Sequence, residues 1–282
     1  MPPKSSKKSV EVVNKSFAGN HHIVIIHGIG KAQAGYSRPL IDGIAAALKA
    51  GNEGTTAESL VFHEVLWDDV VSFEQARLAD ALSRGFGLTT ASKAESWFRR
   101  LLLFPKRVIN ALRTGIAAEY IQDILSYNVR SNAYPLIHER LRAAFDKVAQ
   151  DQGPARLSVI AHSLGTVIAS DHIYDRQVKG EKLAGGVVFQ NFFTLGSPIA
   201  LFALKYGGAE LFQSPARTED PDGVWLNIYD KDDPVGYPLK TLNDAYNRAV
   251  TEEVWVETGL FGLAHTKYFI STSVHALIAG RL

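Results

Sequence analysis

The chain has 282 residues, 30 basic against 29 acidic side chains and 46% hydrophobic residues, enough to build a sizeable core in one domain. A formal charge of +1 supplies no field to gather nucleic acid, and the mixed composition excludes wholesale disorder. Cysteine is absent, which excludes disulfides, thiolate metal sites and a thiol nucleophile and leaves hydroxyl chemistry as the leading covalent option.

Residues 1–20 read as a frayed tail, with Val10 to Phe17 able to add an edge strand. Lys4, Lys7 and Lys8 are followed by no apolar run of the kind a secretory signal carries, so the expected location is cytoplasmic. No uninterrupted apolar stretch of about 18 residues occurs, so no spanning helix is expected.

Ile23 to Ile26 reads as a buried strand that stops at His27-Gly28-Ile29-Gly30. A helix is predicted over Ser37 to Ala50 and a strand over Leu60 to Trp67. Beyond Asp68-Asp69 a long stretch with helical spacing reaches about Tyr127, more than the alternation of strands and helices requires. Leu136, Ile137, Leu141, Ala144, Phe145 and Val148 then recur at helical spacing and end before Gly153-Pro154.

Leu157 to Ala161 is the next strand, followed by a sharp turn and a helix over Thr166 to Val178. Val187 to Leu195, Trp225 to Tyr229 and Glu253 to Val256 are further strands, and Ser271 to Ala279 closes as a helix. Strands alternating with helices imply an α/β fold with a mostly parallel sheet covered on both faces. The domain is read as 21–282, interrupted by a helical insertion over 69–130.

Ala161-His162-Ser163-Leu164-Gly165 matches G-x-S-x-G with Ala in place of the first Gly. Small residues are required two places either side of the serine because the turn brings those positions against neighbouring backbone. Such a turn lifts the Ser163 hydroxyl clear of the strand end, and the N–H of Leu164 at the helix start can face a developing oxyanion. The competing reading of Ser163 is a helix N-cap. Its place between a Val-Ile-Ala strand and a helix favours the nucleophile.

Here the sequence resembles the α/β-hydrolase superfamily, in particular its lipase- and esterase-like serine hydrolases. The resemblance is carried by Val24-Ile25-Ile26-His27-Gly28-Ile29-Gly30, by the Ser163 turn, by Thr194-Leu195-Gly196-Ser197-Pro198, and by Asp233-Pro234-Val235 with His265 downstream. It implies a second oxyanion donor at the N–H of Ile29. A dinucleotide loop is disfavoured because Gln33 stands where Gly or Ala is needed. Ser197 reads as loop architecture, since Pro198 cannot donate an N–H.

A serine hydroxyl needs a histidine base and an acid that fixes the imidazole tautomer. The chain order nucleophile, acid, base implied by the resemblance leaves His172, His265 and His275. His172 falls on the helix after the nucleophile and His275 within the last helix, whereas His265 lies in a loop after the final strand. His265 is therefore the expected base. Asp230, Asp232 and Asp233 all follow the strand 225–229 and qualify by position; resemblance of Asp233-Pro234-Val235 to the Asp-x-Val element favours Asp233, with Asp230 second.

The insertion is expected to form a cap over the site. Its segment 95–113 mixes bulky apolar and basic residues, so contact with a membrane surface competes with simple packing on the sheet domain. The expected activity is hydrolysis of small-molecule or lipid-like carboxylic esters, with no cofactor and no metal. Acyl transfer, thioester or amide hydrolysis, and a non-catalytic binding protein on the same fold are the alternatives.

Overall fold

The computed structural model describes residues 21–28, 30, 32–51, 59–70, 127, 132–150, 155–205, 215–259 and 263–282. Six strands form one sheet: β1 (His21–Ile26), β2 (Leu60–Val65), β3 (Arg156–His162), β4 (Val188–Leu195), β5 (Trp225–Tyr229) and β6 (Glu252–Trp255). Their spatial order is β2-β1-β3-β4-β5-β6, and every neighbouring pair is parallel. Parallel strands need crossover connections, which place helices on both faces and explain why β1 is buried along its whole length.

The helices are α1 (Arg38–Gly51), α2 (Ala133–Gln150), α3 (Leu164–Val178), α4 (Ile199–Lys205), α5 (Asp244–Ala249) and α6 (Thr272–Ala279). Alternation along β1 divides the core in two. Val24 and Ile26 join Ile137, Leu141 and Val148 of α2 and Val167 and Ile168 of α3 on one face. Ile23 and Ile25 join Leu40, Ile41 and Ile44 of α1 and Val274 and Ile278 of α6 on the other. This is the α/β arrangement expected from the sequence, a parallel sheet with helices on both faces, with α4 and α5 as short helices that the sequence reading did not separate from loops. The proposed insertion lies almost wholly outside the described residues, as do the segment 95–113, Ile29 and the tail 1–20.

Several polar groups inside this core are hydrogen-bonded. Glu64 on β2, fully buried, accepts from Gly35 N at 2.7 Å and from Ser37 N and Oγ at 2.8 and 2.5 Å, which ties the loop before α1 to the sheet. His21 Nε2 meets Ser158 Oγ at 2.8 Å. His22 Nδ1 meets His63 Nε2 at 2.9 Å, across the β1–β2 pair.

Burial pushes seven of the nine histidines below the ordinary value: His21, His27, His138 and His162 to about 4, and His63, His172 and His265 to about 3. Above pH 6.5 these rings are neutral whether the chain is folded or not. Below it the unfolded chain takes up protons that the folded one refuses, so stability falls as the pH drops from 6.5 towards 4. Asp233, lifted to about 6 by burial, is a single group acting in the opposite direction. Urea unfolding should show a loss of at least about 3 kcal/mol between pH 8 and pH 5.5, since each such ring costs about 1.4 kcal/mol one unit below its unfolded value. Unchanged or rising stability over that range would contradict the burial of neutral histidines.

Candidate active site

The central strand β3 ends at His162 and α3 starts at Leu164, leaving one residue, Ser163, to turn the chain. Its backbone has φ 55° and ψ −131°, and it is the one non-glycine residue with positive φ among the described residues. Such a conformation costs about 1–3 kcal/mol and persists only where the surroundings impose it. Ser163 N–H donates to Leu195 O at 3.0 Å, while Ser163 O accepts from Thr166 N at 2.9 Å and Thr166 Oγ1 at 2.7 Å. The hydroxyl makes no capping bond to the helix amides, which removes the N-cap reading. Leu164, as first residue of α3, carries one of the amide N–H groups with no acceptor inside the helix.

Two glycines mark how closely other segments approach. A Cβ on Gly165 would stand 2.5 Å from His27 O and 2.9 Å from Ile26 O, so the end of β1 lies directly on the first turn of α3. A Cβ on Gly28 would stand 2.4 Å from Ser163 Cβ and 2.9 Å from Ser163 Oγ, which places the His27-Gly28 turn against the serine. His27 stacks on Trp67 at 5.2 Å, its carbonyl accepts from Trp67 Nε1 at 3.0 Å, and its Nδ1–H donates to Gly28 O at 2.7 Å.

From the other side, the turns after β5 and β6 bring Asp233 and His265 together. His265 Nδ1 lies 2.9 and 2.8 Å from the two carboxylate oxygens of Asp233, and both side chains are buried. Asp233 also accepts from Val235 N at 2.9 Å and from Tyr268 Oη at 2.8 Å. His162, the neighbour of Ser163, donates through Nε2–H to His265 O at 2.8 Å, and the two rings are 4.8 Å apart. The turn that carries His265 is thus tied to the residue beside the serine.

Burial disfavours the imidazolium of His265 and raises the Asp233 carboxyl. The neutral ring donates Nδ1–H to Asp233, which leaves the Nε2 lone pair as the proton acceptor. Asp230 stands elsewhere: its Oδ2 accepts from Thr258 N and Oγ1 at 2.6 and 2.8 Å and its Oδ1 from Asp232 N at 2.8 Å. It clasps the two loops and does not meet His265. His172 faces His138 and His275 donates to Phe269 O, so both are engaged away from Asp233. Ser197 pairs with Thr166 at 2.8 Å and accepts from Ile199 N, a loop role.

Sequence reasoning missed Tyr268, His162 and Thr166, whose contributions exist only through bonds across the fold. Among the described residues no three histidine or acidic side chains are grouped to hold a metal.

Residues 135–201, which span α2 to the start of α4, match a protein-family model described as "Putative serine esterase (DUF676)". Over 151 residues the chain is 27% identical to a Schizosaccharomyces pombe protein named as a probable mitochondrial phospholipase; the match covers 45% of this chain and 20% of that protein. A dienelactone hydrolase from Anabaena variabilis superimposes with a TM-score of 0.43 at 14% identity, covering 93% of this chain and 85% of that one. A hormone-sensitive lipase from a metagenome library gives 0.44 at 11% identity, covering 94% and 78%.

Gly165→Ala should cost about 2–3 kcal/mol in urea unfolding, because its methyl group meets rigid backbone. A loss under about 0.5 kcal/mol would contradict the close approach of β1 to α3. The chain thus has an all-parallel α/β sheet with a strand–turn–helix around Ser163, and over residues 135–201 it is similar to a family of putative serine esterases.

Proposed function

We propose that this protein is a serine hydrolase of carboxylic esters that works through Ser163, His265 and Asp233. The observation that carries this reading is the buried, hydrogen-bonded His265–Asp233 pair, whose turn is bonded to His162, the residue next to a serine in a strained turn. Ser163 Oγ attacks the acyl carbon as its proton passes to Nε2 of His265, and the Nδ1–H bond to Asp233 stabilises the imidazolium that forms. The oxyanion is met by the N–H of Leu164 and, as the sequence resemblance implies, by that of Ile29. The proton then passes to the leaving alcohol, and water, activated by the same imidazole, releases the acid from Ser163.

A lipid ester is the second reading for the substrate. It is supported by the name of the fission-yeast relative and by two large apolar side chains, Leu263 and Ile270, that stand 55% and 58% exposed on either side of the His265 turn. Esters of graded acyl length distinguish the two: a rise in kcat/KM with chain length favours the lipid ester.

The direct test is turnover of p-nitrophenyl esters together with labelling by a fluorophosphonate. Wild-type protein should do both, Ser163→Ala should lose labelling and about a million-fold in kcat, and Asp233→Asn should lose on the order of 10⁴-fold by releasing the wrong tautomer. A Ser163→Ala variant with wild-type turnover would remove this serine from the reaction. The neutral base is the active form and burial favours it, so kcat/KM should stay level above about pH 7 and fall only on the acid side, below the ordinary histidine value of about 6.5. A midpoint above 7 would contradict the desolvated pair.

A further inference from the structure

Tyr268 is fully buried and lies three residues beyond His265, in the turn Tyr268–Ile270 that follows the one carrying the base. Its hydroxyl meets two partners. The N–H of Asp230 points at Tyr268 Oη at 2.9 Å, and Asp233 Oδ2 lies 2.8 Å from the same oxygen. A backbone N–H can only donate, so the phenol oxygen accepts from Asp230, and its single proton is left for Asp233. With Asp233 ionised, the direction of this short chain is fixed, because the carboxylate can only accept.

The consequence falls on the acid. Asp233 Oδ2 receives the phenol proton and Nδ1–H of His265, while Oδ1 receives Val235 N–H. A carboxylate that accepts these donors is ionised, whereas a protonated Asp233 would have to turn its own hydrogen towards a donor. Hydrogen bonds to the charged form favour it, against the burial that opposes it. One short segment, 265–268, therefore supplies both the ring that Asp233 orients and the hydroxyl that holds Asp233 ready to orient it.

We infer that Tyr268 is a positioning residue for the proposed reaction: its hydroxyl keeps Asp233 ionised and aligned, and through Asp233 it holds His265 in the Nδ1–H tautomer. This inference rests on the proposed triad. The phenol does not reach the reacting atoms through any contact of its own, and its effect passes through the carboxylate. The other titratable groups around it are Asp230, His265 and His162, whose ring lies 5.7 Å from that of Tyr268.

The test compares Tyr268→Phe with Thr258→Val. Thr258 bonds Asp230 Oδ2 and Ala264 O, so its loss loosens the same two loops without touching Asp233. Tyr268→Phe keeps the ring and removes the hydroxyl. It should lower kcat about tenfold on a p-nitrophenyl ester, leave KM within about twofold, and move the acid limb of kcat/KM upward by about one pH unit. The direction follows because a carboxylate with one donor fewer is more basic and strengthens proton binding by the pair. Thr258→Val should leave the limb where it is.

Nitrogen-15 NMR of the His265 ring supplies a reading that needs no turnover. Wild type should show the Nδ1–H tautomer with a low titration point, and Tyr268→Phe should show an upward-shifted titration or a tautomer mixture. An unmoved limb and an unmoved His265 titration in Tyr268→Phe would overturn the inference, as would an equal shift in Thr258→Val. If the wild-type protein turns over no ester, the proposed function fails, and the NMR titration alone still decides whether the hydroxyl of Tyr268 governs the Asp233–His265 pair.

Discussion

A serine held at positive φ between a central strand and a helix is the constraint from which the rest of the site follows. The turn has room for only one residue between His162 and Leu164, and the neighbouring segments must close on it without side chains in the way. Gly28 and Gly165 satisfy this, the first against Ser163 itself and the second against the end of β1. Thr166, bonded to both Ser163 O and Ser197, holds the carbonyl side of the turn from beneath. Strain of about 1–3 kcal/mol is retained because these contacts leave the backbone no relaxed alternative.

Burial then sets the electrostatics. Asp233, His265 and Tyr268 lie inside the molecule, where an unpaired charge would be costly and a neutral imidazole is favoured. Asp230 N–H donates to Tyr268 Oη, and Tyr268 O–H and His265 Nδ1–H both donate to Asp233, so the bonds converge on the carboxylate and its charge is met from both sides. Asp230 contributes by clasping Thr258 across the two loops, a structural task that leaves Asp233 for the histidine.

Much of this fold was legible because strands in a parallel sheet covered on both faces are continuous apolar runs, as Ile23 to Ile26 and Leu157 to Ala161 are. The turn at Ser163 was legible because its small neighbours and flanking strand and helix are local. Helices α4 and α5 were not, being only seven and six residues long, too short for a periodic stripe. Asp233 could be separated from Asp230 by motif alone, but the physical reason, that Asp230 is taken by Thr258, exists only in the fold. His22 and His63 meet because the register of β1 on β2 sets Val24 beside His63. No sequence spacing encodes that, and the same holds for the bond from Tyr268 to Asp233.

A structure of the protein after reaction with a fluorophosphonate tests the central claim most directly, because it fixes the nucleophile and the oxyanion position together. Phosphorus should be bonded to Ser163 Oγ, with one phosphonyl oxygen within about 2.7–3.1 Å of the Leu164 amide nitrogen and the His265 ring still bonded to Asp233 with Nε2 turned towards the adduct. Phosphorus on another residue, or a phosphonyl oxygen turned away from the start of α3, would contradict it.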